Sequence, residues 1–215
     1  GTYNVGAEQI AARITARTSA VIVAHISGLP CDMDAIMKVA RRHNLRVIED
    51  CAQSHGATWK GRPIGTFGDI AAWSTMFSKH HATGGQGGIV FTRDEDLYWR
   101  VRRWADRGKP FGIGEHPADN NVVASLNFNM DELHACIGRV QLRKLPASIR
   151  RDRAVAKVIA DGCREKLRAV RLLQPSPGGE GVYWFCFLGL DLDKLRIDRN
   201  AFVDALRAEG IPAAH

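Results

Sequence analysis

Residues 46–88 read RVIEDCAQSHGATWKGRPIGTFGDIAAWSTMFSKHHATGGQGG, and this stretch decides the fold. Its first apolar run, Val47-Ile48, stops at Glu49-Asp50, and its second, Ile70 to Trp73, stops at Ser74. Both runs are typical of buried parallel strands, which are apolar along their length and polar at the carboxyl end. Because that end of a parallel sheet faces the ligand crevice, we expect the polar residues after the two runs to share one crevice.

The polar residues after these runs combine an acid, an amide, a hydroxyl and an amine: Asp50, Gln53, Ser74 and Lys79. These groups suit pyridoxal phosphate, which needs a lysine amine to form a Schiff base and a carboxylate beside its pyridine nitrogen. Lys79 and Asp50 fill these two roles, Ser74 is a donor for the phosphate, and Gln53 is a partner for the ring hydroxyl. Ala52 is small enough to let the flat ring lie against the backbone.

The order of motifs in the chain resembles the DegT/DnrJ/EryC1/StrS family. The matching pieces are V-I-E-D-C-A-Q-S-H-G-A, then G-x-F-G-D-I, then S-x-x-x-x-K, then T-G-G-Q-G-G, and the similarity runs from Thr18 to Leu145. Members of this family are sugar aminotransferases of the fold-type-I pyridoxal phosphate class. The resemblance therefore implies an α/β fold with a mostly parallel sheet flanked by helices. It also implies the roles given above for Lys79, Asp50, Gln53 and Ser74.

The family pattern also implies the domain organisation. Residues 1–145 correspond to part of the large cofactor-binding domain, and residues 146–215 to part of a smaller α+β C-terminal domain. Relative to the family, the chain lacks the N-terminal portion with its glycine/threonine-rich loop and the aromatic residue that stacks on the ring, and it stops where the family continues. Asn127 matches the start of an N-x-R element that contacts cofactor phosphate across a dimer interface, although Asn129 replaces the arginine.

Hydrophobic spacing predicts the local structure around these motifs. Pro146 is expected to break or kink a helix that carries Leu133, Ile137 and Val140, before a second helix over residues 149–167. Trp99 and Trp104 indicate a helix that is buried on one side. The remaining predictions are strands at 20–24, 89–91 and 182–188, a turn at 60–63, a long loop at 108–125, and helices over 32–43, after Asp94 and over 199–209.

Composition narrows the class of protein. The chain has 215 residues, a net charge of +7, and five cysteines without a C-x-x-C pair, which favours reduced thiols and a cytoplasmic location. No apolar run approaches the roughly 20 residues that span a bilayer, so no membrane partner is expected. The basic residues lie mostly on predicted helix faces without interleaved stacking aromatics, which argues against a nucleic-acid partner. The eight histidines show no metal-ligand spacing.

Three functions remain open at this point. The first is an aminotransferase that converts a nucleotide-linked keto sugar into an amino sugar, with an amino acid such as glutamate as donor and pyridoxamine phosphate as the intermediate cofactor form. In this reading the protein is a homodimer, and Lys79 is also the base that shuttles the proton during transamination. The second is a dehydratase of the kind in which histidine replaces the lysine, since His80 and His81 follow Lys79. The third is a non-catalytic regulatory or scaffold module that keeps the fold.

Overall fold

The computed structural model describes residues 2–113 and 120–214. Six residues of the predicted loop at 108–125, residues 114–119, lie outside this part. The helices of the described chain are α1 (Ala7–Ala11), α2 (Met33–Arg42), α3 (Glu95–Ala105), α4 (Glu132–Lys166) and α5 (Arg199–Ala208). Its strands are β1 (Ala20–Ala24), β2 (Arg46–Asp50), β3 (Thr58–Trp59), β4 (Arg62–Pro63), β5 (Ile70–Ser74), β6 (Gly88–Thr92), β7 (Val170–Leu172), β8 (Gly179–Glu180) and β9 (Leu188–Leu190).

The main sheet has the order β1-β2-β5-β6. The first three strands are parallel, and β6 runs antiparallel to β5. The chain passes from β1 through α2 to β2, which is the predicted strand–helix–strand crossover. The prediction that the two apolar runs form neighbouring parallel strands is confirmed, with Asp50 beside Ala72.

The two faces of this sheet differ in burial. On one face Val23, Val47 and Ala71 are buried in a core to which α2 contributes Met33, Ile36 and Ala40. The helix starts where predicted, because the carboxylate of Asp32 accepts the N–H of Ala35. The other face is open in the described chain, and Ile22 in β1 is 65% exposed there. Asp50 and Ser74 lie on this open face.

Helix α4 continues through Pro146, so the helix is not broken there, and the predicted second helix over residues 149–167 is part of α4. A proline inside a helix removes one backbone hydrogen bond, and burial of Ile149, Ala156 and Cys163 on the following turns offsets that cost. The division between residues 145 and 146 therefore falls inside one 35-residue helix, and the two-domain organisation stays a prediction. None of the described helices combines the length and hydropathy that a bilayer crossing requires.

The predicted strand over residues 182–188 is also wrong, since only Leu188 of this segment is in a strand. The backbone N–H groups of Val182 and Trp184 donate to Gly28 and Ser27, in a turn between β1 and α2, instead of to a neighbouring strand. Tyr183 has a φ of 54°, which interrupts an extended conformation. The apolar segment 182–187 therefore packs against the turn between β1 and α2 and does not form a strand.

Helix α3 begins after Asp94 as predicted, but its side chains are not buried. No residue of α3 is buried in the described chain, and Trp104 is 55% exposed. The prediction of a one-sided buried helix is wrong because, in the described part of the chain, α3 packs mainly on β6, which is the edge strand of the sheet. The predicted turn is confirmed at Lys60 and Gly61, with φ values of 49° and 76°, whereas Arg62 and Pro63 of the predicted turn form β4.

Candidate active site

Asp50 and Ser74 end two adjacent parallel strands. Because Asp50 is beside Ala72, Ser74 lies two residues further along β5 and on the same face. Oδ1 of Asp50 accepts the N–H of Ala52 at 3.0 Å, which anchors one oxygen of this exposed carboxylate at the strand end. The predicted meeting of the two strand ends is therefore present, with Asp50 and Ser74 on one face and Ala52 bonded to Asp50.

Lys79 lies in the turn that leads away from β5. Its N–H donates to the carbonyl of Met76 at 2.9 Å, and its Nζ is 3.4 Å from the centroid of the Trp184 ring. Partial burial lowers the pKa of Lys79, while the negative charge of Asp50 acts in the opposite direction. Within the described residues, no carboxylate forms a salt bridge with this amine. The amine is therefore less protonated than an exposed lysine, and Asp50 is close enough to affect it.

Gln53 and Ser74 each have one hydrogen bond that leaves donor capacity. Oε1 of Gln53 accepts the N–H of Ser27 at 2.6 Å, and this bond orients the amide. Ser74 Oγ accepts the N–H of Met76 at 3.3 Å, so the hydroxyl hydrogen remains available to a ligand. Both side chains can still donate, as contacts to a ring hydroxyl and a phosphate would require.

Asn127 is not joined to the other predicted site residues by a hydrogen bond in the described chain. It pairs with Asp106 in an isolated β-bridge, and its Oδ1 accepts the N–H of Asn129 at 3.1 Å. Hydrogen bonds from Arg107, and then from Lys109 and Asn129, lower the pKa of Asp106. The buried carboxylate of Asp106 is thus paired with Arg107 and Lys109, and the role of Asn127 toward a second subunit stays a prediction.

Glu49 has a structural role that the sequence did not predict. Its carboxylate is fully buried on the core face and accepts the N–H groups of Gly65, Phe67 and Gly68 at 2.6–2.7 Å. Burial alone would raise the pKa of Glu49, but hydrogen bonds from His25 and from these backbone groups outweigh it and lower the pKa. The sequence signal that could have indicated this role is the alternation of side chains along β2. Adjacent residues on a strand point to opposite faces, so Glu49 and Asp50 cannot both face the crevice.

His25, Glu49 and Cys51 form the one group in the described chain whose ligand atoms lie close enough to hold a metal ion. Hydrogen bonds already engage two of them, since Nδ1 of His25 accepts the N–H of Cys31 and its Nε2 faces Glu49 at 3.4 Å. Burial also raises the pKa of the Cys51 thiol, which disfavours the thiolate that a metal needs. This chemistry favours structural support for the sheet over metal binding.

Three histidines pack together close to the turn that carries Lys79. The ring of His55 lies 6.3 Å from that of His80 and 6.1 Å from that of His81. Burial and the neighbouring histidines lower the pKa of His55 to about 4. Nε2 of His80 is 3.2 Å from the carbonyl of Val182, and Nε2 of His81 is 3.0 Å from that of Gly138. The position at which histidine replaces lysine in the dehydratase reading is occupied here by Lys79, and His80, one residue later, faces a backbone carbonyl.

Comparison with known proteins agrees with this geometry. The model of the DegT/DnrJ/EryC1/StrS aminotransferase family matches residues 1–215. The chain belongs to this family. It is 34% identical to the GDP-perosamine synthase of Caulobacter vibrioides, over 100% of the chain and 57% of that protein. The expected α/β fold is confirmed by similarity to the solved structure of the aminotransferase from Psychrobacter cryohalolentis. The TM-score between the two structures is 0.90 at 34% sequence identity, and the match covers 98% of this chain and 57% of that aminotransferase.

A second solved relative is DesI, determined in the presence of its TDP-sugar product. The TM-score is 0.83 at 31% identity, with 98% of this chain and 52% of DesI covered. The chain thus spans about half the length of the curated relatives that it matches. Family membership and fold are established on this basis.

Proposed function

We propose that the protein is a pyridoxal-phosphate-dependent aminotransferase that converts a nucleotide-linked keto sugar into an amino sugar. An amino acid such as glutamate is the nitrogen donor, and pyridoxamine phosphate is the cofactor form between the two halves of the reaction. The observation that carries the proposal is the placement of Asp50 and Ser74 at adjacent strand ends, together with a partly buried Lys79 amine that is influenced by Asp50.

The residues of the site fit this cofactor. A carboxylate, a free amide donor, a hydroxyl donor and an amine are the groups that its pyridine nitrogen, ring hydroxyl, phosphate and aldehyde need. Asp50, Gln53, Ser74 and Lys79 would hold these four groups, with small Ala52 beneath the ring and Asn127 reaching the phosphate of a neighbouring subunit. When bound, the cofactor supplies an aldehyde that bonds to an amine and a ring that accepts electrons.

Each side chain has a distinct task in the proposed reaction. The carboxylate of Asp50 would hold a proton on the pyridine nitrogen, because a nearby opposite charge favours the protonated form. The lowered pKa of Lys79 leaves a larger fraction of its amine unprotonated, which is the form that attacks an aldehyde and accepts a proton from carbon. Gln53 and Ser74 hold the ring and the phosphate in position for these steps.

The relatives support the proposed substrate class, and the free cysteines of the chain support the proposed cytoplasmic location. GDP-perosamine synthase is named for a nucleotide-linked sugar, and DesI was solved in the presence of its TDP-sugar product. All five cysteines are free thiols, in keeping with a cytoplasmic enzyme. The proposed assembly is a homodimer in which Asn127 of each subunit faces the other subunit's cofactor. Retention of Lys79 favours the aminotransferase over both alternatives, because histidine replaces the lysine in the dehydratase and a non-catalytic module does not need the amine.

The first prediction tests this proposal at Lys79. After incubation with pyridoxal phosphate and reduction with borohydride, mass spectrometry is expected to find the cofactor adduct on Lys79. Lys79→Ala is expected to abolish both the adduct and transamination, because no other amine of the site can bond to the cofactor. Lys60, which is exposed and paired with Asp34, serves as the matched control, and Lys60→Ala should leave the adduct unchanged. An adduct on Lys38, Lys60 or Lys109 in the wild-type protein would contradict the assignment.

A further inference from the structure

Trp184 contacts two consecutive residues of the turn that carries the catalytic amine. The Nζ of Lys79 lies over its ring at 3.4 Å from the centroid, and its indole Nε1 donates to the carbonyl of Ser78 at 3.2 Å. The ring therefore holds both the backbone before Lys79 and the end of the Lys79 side chain. The sequence pattern predicts only a strand for Trp184, so this contact is additional to the predicted site.

A chain of hydrogen bonds fixes Trp184 in this position. Ser27 is fully buried with a φ of 57°, a conformation that costs energy for a residue with a side chain. Its carbonyl accepts the N–H of Trp184 at 3.0 Å, and its Oγ both accepts from the N–H of Phe185 and donates to the carbonyl of Phe185. Ser27 is in turn anchored by its own N–H, which donates to Gln53. A residue of the candidate cofactor site thus anchors the segment that carries Trp184.

An aromatic partner has a specific advantage for a nucleophilic amine. A carboxylate in direct contact would raise the pKa of Lys79 and keep it protonated, which prevents attack. An aromatic face holds the ammonium by a cation–π contact, and its apolar surface also packs on the uncharged amine. It restricts the four-carbon side chain without a salt bridge, and within the described residues the Lys79 amine forms no salt bridge.

We propose that Trp184, held by Ser27 and Gln53, is a positioning residue that orients the Lys79 amine for its reaction with the cofactor. The contact itself is a property of the cofactor-free protein, and only its catalytic purpose rests on the proposed function. The ring acts through Lys79, so it is expected to change how readily the amine reacts without supplying a reacting group of its own.

The test measures acylation of Lys79 in the absence of cofactor. The protein is treated with limiting acetic anhydride, and mass spectrometry compares modification of Lys79 with that of exposed Lys166. Trp184→Ala and Trp184→Leu are expected to raise the relative labelling of Lys79 by about threefold to tenfold. This factor corresponds to the free energy of one partly desolvated cation–π contact. Trp184→Phe, which keeps an aromatic face, should retain the wild-type protection.

Two further variants make the result specific. Ser27→Ala removes both hydrogen bonds of the hydroxyl to Phe185, so it should raise labelling in the same direction as Trp184→Ala. Trp104→Ala removes an exposed tryptophan in α3 and should leave the labelling of Lys79 unchanged. Circular dichroism verifies that each variant is folded, and Trp184→Leu gives a result of its own if the alanine variant does not fold.

The outcomes separate this inference from the proposed function. If the leucine or alanine variant labels Lys79 at the wild-type ratio, Trp184 does not position the amine, whether or not the cofactor adduct forms on Lys79. If labelling rises and the rate of adduct formation with pyridoxal phosphate falls about threefold to tenfold, the inference is supported. If labelling rises but wild-type Lys79 carries no adduct, the contact stands and the aminotransferase proposal is wrong.

Discussion

Two adjacent carboxylates, Glu49 and Asp50, have opposite environments. Glu49 points into the core, where backbone N–H groups and His25 satisfy its oxygens. Asp50 points to the open face, where one oxygen holds the N–H of Ala52 and the group stays exposed. Because successive strand residues face opposite sides, one dipeptide supplies both the support for the 65–68 loop and the charge for a ligand.

The second prediction concerns that exposed carboxylate. Asp50→Asn keeps the shape of the side chain and removes its charge, so the protonated ring loses its partner while the other cofactor contacts remain. We expect cofactor binding to stay measurable and both half-reactions to slow by about 100-fold, the order expected for one preorganised electrostatic contact. Single-turnover absorbance measurements with the amino donor and with the keto sugar test each half separately. Wild-type rates in the Asn variant would show that Asp50 does not contact the pyridine nitrogen.

At the scale of elements, the glycine cluster at residues 84–88 lets helix α4 approach the turn after Lys79. A Cβ at Gly85 would lie 2.5 Å from Nε2 of His134, and one at Gly84, where φ is 89°, would lie 2.9 Å from Ile137. At Gly87 the added atom would lie 2.5 Å from the hydroxyl of buried Thr75, which is hydrogen-bonded to Thr83. The cluster therefore serves close packing as well as the turn into β6.

The third prediction compares two glycines. Gly87→Ala is expected to lower the free energy of unfolding by about 1–3 kcal/mol, because the methyl group displaces the Thr75–Thr83 pair. Gly162→Ala lies on α4 with no atom within 4 Å of the added Cβ, and should raise the free energy of unfolding by up to about 1 kcal/mol. Urea denaturation measures both, and equal effects in the two variants would mean that Gly87 is not in a crowded position.

At the scale of the whole molecule, apolar side chains remain exposed around Asn127 and along the start of α4. Leu126, Phe128 and Leu133 are each more than two-thirds exposed in the described chain, at 69%, 67% and 78%. Such a surface is typical of a protein–protein interface. It surrounds the residue that is proposed to reach a neighbouring subunit, which is the physical argument for placing the homodimer contact here.

The fourth prediction tests that assembly. Sedimentation of the wild-type protein should give a dimer, and Leu126→Asp combined with Leu133→Asp should shift it toward the monomer, because burying two charges without partners is costly. Val158→Asp, at an equally exposed apolar position on the C-terminal half of α4, is the matched control and should leave the dimer intact. A monomeric wild-type protein with full activity would rule out the interface and the proposed role of Asn127.

The sequence alone determined the four strands of the main sheet, the crossover through α2 and the caps of α2 and α3, and it predicted the group of Asp50, Gln53, Ser74 and Lys79. Each of these depends on residue type and spacing along a short stretch. Tertiary structure decided what depends on distant partners. It turned Glu49 into the core, carried α4 through Pro146, left α3 unburied, and folded Val182–Phe187 onto Ser27 so that Trp184 meets Lys79. These outcomes join residues that are far apart in the chain, and local pattern carries no information about which of them will pack together.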